Sequence, residues 1–242
     1  MGSESGAASV VTELEATANP ERAAESERYF KTGPGEYGEG DRFLGLTMSQ
    51  VSQTAREHLG LSVADLETLL DSDWHEVRTT ALAIMNAEAR KKRTTDERRR
   101  ELFELYLRKH DRINNWDLVD LGCHAVVGGY LIDKPRDILY ELARSPVLWE
   151  RRTAMVSCGY LIKQGQTDDA LAIAELLLGD REDLIHKATG WMLRTVGDVD
   201  RAALTGFLDQ HAATMPRTAL RYAIEKFDPV DRAHYLGMKT AR

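Results

Sequence analysis

Apolar residues recur at helical spacing along almost the whole of this 242-residue chain. From Val10 onward they return every three or four positions, as in Leu171, Ala174, Leu177 and Leu178, which places them on one face of an α-helix. No segment shows the alternation of apolar and polar residues that a half-buried strand requires. The pattern therefore predicts an all-α protein.

A weak internal repeat lies within these helical segments. Residues 77–81, 150–154 and 186–190 align with one another, at intervals that suit two-helix repeats. Repeats of this kind stack into an α-solenoid of the HEAT-like class, which presents a concave binding face. Residues 1–9 are mostly small and polar and are expected to form a flexible tail, and residues 10–242 a single repeat domain.

Equivalent positions in successive repeats line up along one surface of a solenoid. Thr79 is the first such position, and the later ones follow at spacings of 30 to 37 residues. The predicted row consists of Trp116, Arg152, Lys187 and Arg217, with Asp120 and Trp191 one helical turn further along.

Trp116 and Asp120 are the best candidates for chemistry. They are four residues apart, which on a helix places an indole and a carboxylate side by side on one face. Asn114 or Asn115 can cap this helix, and the amide dipoles of its first turns favour an ionised Asp120.

With the guanidinium of Arg152 and the indole of Trp191, this pair would form an aromatic cage with one acid. Such a cage suits a cationic ligand or transition state. Each side chain also has a structural interpretation. A tryptophan on a helix is most often a core residue, and Asp120 can be an ion-pair partner of Arg152 or Arg112. The stems of Arg152 and Lys187 can pack between repeats.

Composition excludes several classes of function. The net charge of −7 and the pI near 5.6 argue against a protein that coats nucleic acid indiscriminately. No apolar run approaches the roughly 20 residues of a membrane span and no signal pattern is present, so a cytoplasmic protein without membrane contact is expected. Cys123 and Cys158 are expected to be buried free thiols, and the histidines lack metal-ligand spacing, so no metal is expected.

Two stretches have more than one interpretation. Seven basic residues lie between Arg90 and Arg100, and they predict either phosphate contacts or a solvated connection between helices. The glycine-rich residues 33–41 contain no G-x-G-x-x-G motif and carry acids in place of a P-loop lysine, so nucleotide binding is not expected. A flexible or tightly turning connection is expected there instead.

The chain resembles the AlkD-type DNA alkylation-repair glycosylases, a family of all-helical HEAT-like proteins. The resemblance extends from about Arg28 to Phe227, and its specific parts are residues 116–120, 148–152 and 185–194. Together these segments form a strong match, whereas any one of them alone would be weak.

The resemblance implies roles for individual residues. The family's functional tryptophan and aspartate correspond to Trp116 and Asp120, and its active-site arginine corresponds to Arg152. The second tryptophan of its cleft corresponds to Trp191, and its N-terminal tyrosine near the lesion is similar to Tyr29.

The implied activity is hydrolysis of the N-glycosidic bond of N3- or N7-alkylated purines in double-stranded DNA, without base flipping and without a cofactor. Such a purine already carries positive charge, so it leaves without a general acid. Ionised Asp120 would stabilise the oxocarbenium charge and orient a water, while Trp116 and Trp191 offer π faces to the cation. Asp117 turns about 100° away from the indole, so a second catalytic carboxylate is not expected.

DNA binding is expected of Tyr29, Arg152, Lys187 and Arg217, and DNA on the concave face would favour a monomer. The alternative function is a HEAT-repeat module that binds distorted DNA or a protein partner and performs no chemistry. Asp120 discriminates between the two, because a non-catalytic relative would be expected to have lost the acid or its tryptophan neighbour.

Overall fold

The structure is a computed structural model, and it describes residues 6–238. The α-helices within these residues are α1 (Gly6–Glu15), α2 (Pro20–Tyr29), α3 (Met48–Glu57), α4 (Val63–Leu70), α5 (His75–Arg90), α6 (Asp96–Arg108), α7 (Trp116–Cys123), α8 (Asp137–Ala143), α9 (Leu148–Lys163), α10 (Asp168–Leu177), α11 (Asp183–Val199), α12 (Arg201–His211), α13 (Arg217–Ala223) and α14 (Pro229–Gly237). Shorter segments are the 3-10 turns His110–Arg112 and Tyr130–Asp133 and the π-helical turn His124–Gly128, which directly follows α7. Over the described range there is no strand, so the prediction of an all-α protein is confirmed. No helix of this range is long and apolar enough to span a membrane.

The first helix corrects the prediction for the N-terminus. α1 begins at Gly6, Ala7 is buried, and the Ala7 N–H donates to the Asp65 carboxylate at 3.2 Å. Residues 6–9 are therefore helical, whereas a flexible tail was predicted for residues 1–9. The remainder of that predicted tail lies outside the described residues.

Capping chemistry sets the starts of α2 and α3. The Asn19 side chain accepts from the Arg22 N–H at 3.0 Å, and Pro20 occupies the first position of α2, where no intrahelical hydrogen bond is lost. At the start of α3, Thr47 and Gln50 form a reciprocal capping box.

The chain forms two compact units, the first ending at Tyr130 and the second beginning at Leu131. In the first unit, α5 packs against α7 and α4 against α6; in the second, α11 packs against both α9 and α13, and α8 against α10. Consecutive helices within each unit thus alternate between two layers, as two-helix repeats do. The prediction of a single domain over residues 10–242 did not include the division into two units.

The members of the predicted row lie at different positions in their helices. Arg152 and Lys187 are each the fifth residue of their helices, α9 and α11. Asp120 is the fifth residue of α7, whereas Trp116 and Arg217 are the first residues of α7 and α13.

The expected core residues are largely buried. Cys123 and Cys158 are free and buried, as predicted, and burial raises the pKa of the Cys158 thiol. Trp149 is buried, and Trp74 is half-buried with the guanidinium of Arg42 4.3 Å from its ring centroid. None of these four side chains is needed for the candidate chemistry.

The basic stretch connects α5 to α6, and part of it is structural. Arg98 forms an ion pair with Glu88 at 2.9 Å, and Arg99 donates to the carbonyl oxygens of Ala89 at 3.2 Å and Lys91 at 2.7 Å. These two guanidinium groups hold the turn between the helices. The notion of a solvated connection does not describe these two residues, which are bonded within it, and phosphate contact stays a prediction for the other basic residues of the stretch.

Candidate functional site

The start of α7 is set by Asn115. Its side chain accepts from the Trp116 N–H at 2.8 Å, so Asn115, of the two possible caps, is the one in place. Its amide also donates to Asp41 at 3.3 Å. Trp116 and Asp120 follow one turn apart on α7, and both are half-buried.

Trp116 is surrounded by aromatic side chains from the end of α2 and the following loop. The Phe30 ring stacks on the indole, with centroids 5.5 Å apart and planes 25° apart. Tyr29 meets the indole edge-on at 6.1 Å. Burial raises the pKa of Tyr37, from residues 33–41, and the neighbouring Trp116 side chain acts in the opposite direction.

Tyr29 thus lies beside Trp116, and its position near a lesion stays a prediction. Its side chain is well exposed, at 65% of the residue surface. An exposed phenol at the edge of a half-buried indole is available to a ligand that approaches Trp116. The structure therefore brings together three of the predicted site residues, Tyr29, Trp116 and Asp120, in the first unit.

A buried charged network adjoins this aromatic cluster. His75, the first residue of α5, is hydrogen-bonded through Nδ1 to Asp41 at 3.0 Å and through Nε2 to Asp117 at 2.8 Å. The Arg78 guanidinium donates to Asp41 at 2.6 Å. The centroid of the Phe30 ring lies 5.0 Å from that of the His75 imidazole, so Phe30 packs against both His75 and the indole of Trp116.

The network keeps His75 and Asp41 charged. Burial opposes the protonated form of His75, but the charges and hydrogen bonds of Asp117 and Asp41 prevail and raise its pKa to about 9. Burial likewise opposes an ionised Asp41, yet the hydrogen bond from His75 and the charge of Arg78 lower its pKa to about 2. Among residues 6–238, no group of three or more His, Cys, Asp or Glu side chains is placed to hold a metal ion.

Sequence reasoning did not predict this network or the position of Tyr37 beside Trp116. Asp41 and His75 are 34 residues apart, and His75 and Asp117 are 42 apart, so no helical period relates them. The only available signal was the glycine-rich stretch 33–41, which contains Tyr37 and ends at Asp41. Asp117 points into the network, in line with its predicted rotation away from the indole.

In the second unit, Arg152 is buried. Only 5% of its surface is exposed, and its Nη1 donates to the carbonyl oxygen of Leu184 at 2.6 Å. Leu184 is the second residue of α11, so this bond joins α9 to the start of α11. Part of the guanidinium is therefore used in packing between repeats, as the structural interpretation anticipated.

Trp191 is half-buried on α11, next to a close helix contact. A Cβ on Gly190 would overlap the Ala219 carbonyl oxygen, so glycine permits α13 to approach α11 at this point. Lys187, one turn earlier, is 43% exposed and pairs with Asp183 at 2.8 Å. Lys187 therefore presents a cation at the surface while its charge is partly balanced.

Arg217 is the remaining predicted cation. It is exposed, and its Nη2 donates to the carbonyl oxygen of Leu236 in α14 at 2.8 Å. The predicted row is divided between the units: the first contains Trp116 and Asp120, and the second contains Arg152, Lys187, Trp191 and Arg217. Their alignment along one surface stays a prediction.

Comparisons with known proteins found one family model and a similar solved structure. The model of a family described as DNA alkylation repair enzyme matches residues 10–227. The fold is similar to that of a predicted DNA alkylation repair enzyme from Enterococcus faecalis, with a TM-score of 0.66 and 16% identity, over 88% of this chain and 97% of that chain. No curated protein matches the sequence. Because the family match covers most of the chain, the chain belongs to the DNA alkylation repair enzyme family.

Proposed function

We propose that this protein is a DNA glycosylase that hydrolyses the N-glycosidic bond of cationic N3- or N7-alkylated purines in double-stranded DNA, without flipping the base. Membership of the family supports a role in alkylation repair. The observation that carries the finer proposal is the pairing of Trp116 and Asp120 on one face of α7, with the indole packed against Phe30 and Tyr29.

The chemistry follows from the charge of the lesion. An alkylated purine cation is a good leaving group without protonation, so the barrier lies in the positive charge that develops on the deoxyribose. The Asp120 carboxylate stabilises this charge and orients the attacking water. Trp116 and Trp191 offer π faces to the cation. Asp117 is engaged as the partner of His75 and takes no part as an acid.

Binding requires local cations, since the chain as a whole carries a charge of −7. Lys187 and Arg217 are exposed enough to reach phosphates, and Arg152 and Tyr29 complete the proposed DNA contacts. Contacts of this kind position the duplex and carry no sequence information. We propose that one copy of the chain binds the DNA.

The proposal is tested by incubating the protein with duplexes that contain 7-methylguanine, 3-methyladenine or hypoxanthine, and measuring the released base. Both cationic methylpurines are expected to be released. Hypoxanthine is expected to stay, because it is neutral and requires protonation or a base pocket. Rapid release of hypoxanthine would overturn the mechanism, and tight DNA binding without any release would favour the non-catalytic module.

Arg152→Ala is expected to weaken binding to damaged and undamaged duplex alike, because a phosphate contact does not read the lesion. The slope of log affinity against log salt should become shallower by about one unit. The measurement is a salt titration of DNA binding, with Arg181→Ala, at an exposed position outside the row, as the control. An unchanged slope together with a lower melting temperature would make Arg152 a purely structural residue.

A further inference from the structure

The helix that carries Tyr29 ends on a lysine with a left-handed backbone. α2 is followed by its cap, Phe30, and then by Lys31, which has a φ of 54°. The Thr32 N–H donates to the Glu27 carbonyl oxygen at 3.2 Å, which is the hydrogen bond of a Schellman motif. The position that Lys31 takes in this motif is most often occupied by glycine, because a Cβ is unfavourable at positive φ.

The same motif ends α9, and there it contains glycine. The Gln166 N–H donates to the Leu161 carbonyl oxygen at 3.0 Å, and Gly165, with a φ of 80°, takes the place that Lys31 has after α2. Among residues 6–238, Lys31 is the one non-glycine residue with positive φ. Backbone strain of this kind is concentrated at functional sites, so the lysine side chain is the feature to explain.

The glycine-rich residues 33–41 hold Lys31 in this conformation. The Gly38 N–H donates to the Lys31 carbonyl oxygen at 3.1 Å, and a Cβ on Gly38 would overlap the Phe30 carbonyl oxygen. Glycine therefore permits the loop to fold back onto the end of α2. Of the two connections expected for this stretch, the tightly turning one is the one that the structure contains.

The Lys31 ammonium is an exposed cation without a carboxylate partner. It forms no ion pair with any residue of the described range, and it lies 5.9 Å from the centroid of the Tyr37 ring. The acids of the following loop are turned elsewhere, since Glu36 and Glu39 accept from backbone N–H groups of that loop at 3.0 and 2.8 Å. The charge of Lys31 is thus available to an anion.

The two residues before Lys31 place it at the candidate site. Phe30 stacks on the indole of Trp116 with centroids 5.5 Å apart, and Tyr29 meets the same indole edge-on at 6.1 Å. The three cations already proposed for DNA contact all belong to the second unit. Lys31 gives the first unit an unpaired cation close to Trp116.

We propose that Lys31 binds a backbone phosphate of the DNA next to the damaged nucleotide. This inference rests on the proposed glycosylase function and adds a phosphate contact in the first unit. A lysine ammonium is a compact charge that binds phosphate oxygens, and the closed turn fixes the backbone from which it extends. Glycine would fit this backbone better but carries no charge, which explains a lysine at a strained position.

Lys31→Gly separates the strain from the charge. Because glycine fits the left-handed backbone, this variant should melt about 2–4 °C higher than the wild type. Its affinity for undamaged duplex should nevertheless fall roughly tenfold at about 0.1 M salt. Lys31→Gln removes the charge and keeps the strain, so it should lose the same affinity without the gain in melting temperature. Lys31→Arg should bind like the wild type, and wild-type affinity in both uncharged variants would overturn the proposal.

The phosphate contact is counted by a salt titration of binding to undamaged duplex. The slope of log affinity against log salt should become shallower by about one unit in Lys31→Gln and stay unchanged in Lys163→Gln. Lys163 is the matched control, because it is an exposed lysine at the end of α9, beside the glycine form of the same motif. A wild type that binds DNA without releasing a base would refute the glycosylase function and leave this titration decisive. Equal slopes for Lys31→Gln and the wild type would overturn the phosphate contact.

The place of the phosphate is tested with duplexes that contain one 7-methylguanine and one neutral methylphosphonate linkage. At the linkage that Lys31 binds, loss of the charge should slow release of the base by wild-type protein at sub-saturating concentration. The same linkage should have no effect on Lys31→Gln, because its contact is already absent. This linkage should adjoin the lesion. A sensitive linkage several nucleotides away, or equal sensitivity of both proteins at every linkage, would contradict the proposal.

Discussion

Asp120→Asn is expected to abolish most base excision while the fold and the DNA affinity are retained. The amide has nearly the shape of the carboxylate but lacks the charge that opposes the developing sugar cation. By analogy with the loss of one electrostatic stabiliser, the single-turnover rate on 7-methylguanine should fall by roughly 100- to 1,000-fold, or about 3–4 kcal/mol of activation free energy.

The matched control for this substitution is Asp111→Asn. Asp111 is exposed in the 3-10 turn before α7, so its replacement changes the net charge by the same amount in the same unit. The control should excise at the wild-type rate. If Asp120→Asn excised equally fast, Asp120 would have no part in the mechanism. A lowered melting temperature without a kinetic defect would support its alternative role as an ion-pair partner.

The second large effect concerns stability. His75→Gln is expected to lower the free energy of unfolding at neutral pH by about 3–5 kcal/mol, because it removes the buried cation that pairs with both Asp41 and Asp117 and leaves Asp41 with only the Arg78 guanidinium. Asp117 loses its partner in the same substitution. Urea denaturation measures the change, and His234→Gln, at an exposed position in α14, should be close to neutral.

The same network is expected to make the stability of the wild-type protein depend on pH. The pKa of His75 is raised from 6.5 to about 9, so the folded state binds this proton more tightly than the unfolded chain does. The contribution of His75 to the free energy of unfolding is fully present below pH 6.5 and is lost as the pH rises through 9. Between these values the free energy of unfolding falls with a slope that approaches about 1.4 kcal/mol per pH unit. The pKa of Asp41 is lowered from 3.8 to about 2, so its contribution to the free energy of unfolding is present above pH 3.8 and is lost as the pH falls through 2.

This pH dependence is measured as the free energy of unfolding between pH 6 and pH 9.5, for the wild type and for His75→Gln. The decline over this range should be present in the wild type and largely absent from the variant. If the variant does not fold, the wild-type curve still decides the point, because a flat profile would show that folding does not raise the pKa of His75.

The sequence by itself determined those features of this protein that depend on residues close together along the chain. Helical periodicity predicted the all-α class, and the four-residue spacing predicted that Trp116 and Asp120 share one face of α7. Asn115 was one of two residues predicted as the possible N-cap of α7. These features could be predicted because hydrogen bonding and side-chain direction within a helix depend on residues only a few positions apart.

Tertiary structure alone decided which distant residues meet. It joined His75 to Asp41 and Asp117, brought Phe30 to the indole of Trp116, and buried Arg152 between helices. It also divided the chain into two units. These contacts join residues from separate elements of the chain, and no short-range pattern encodes them, because packing selects such pairs only when whole helices and loops assemble.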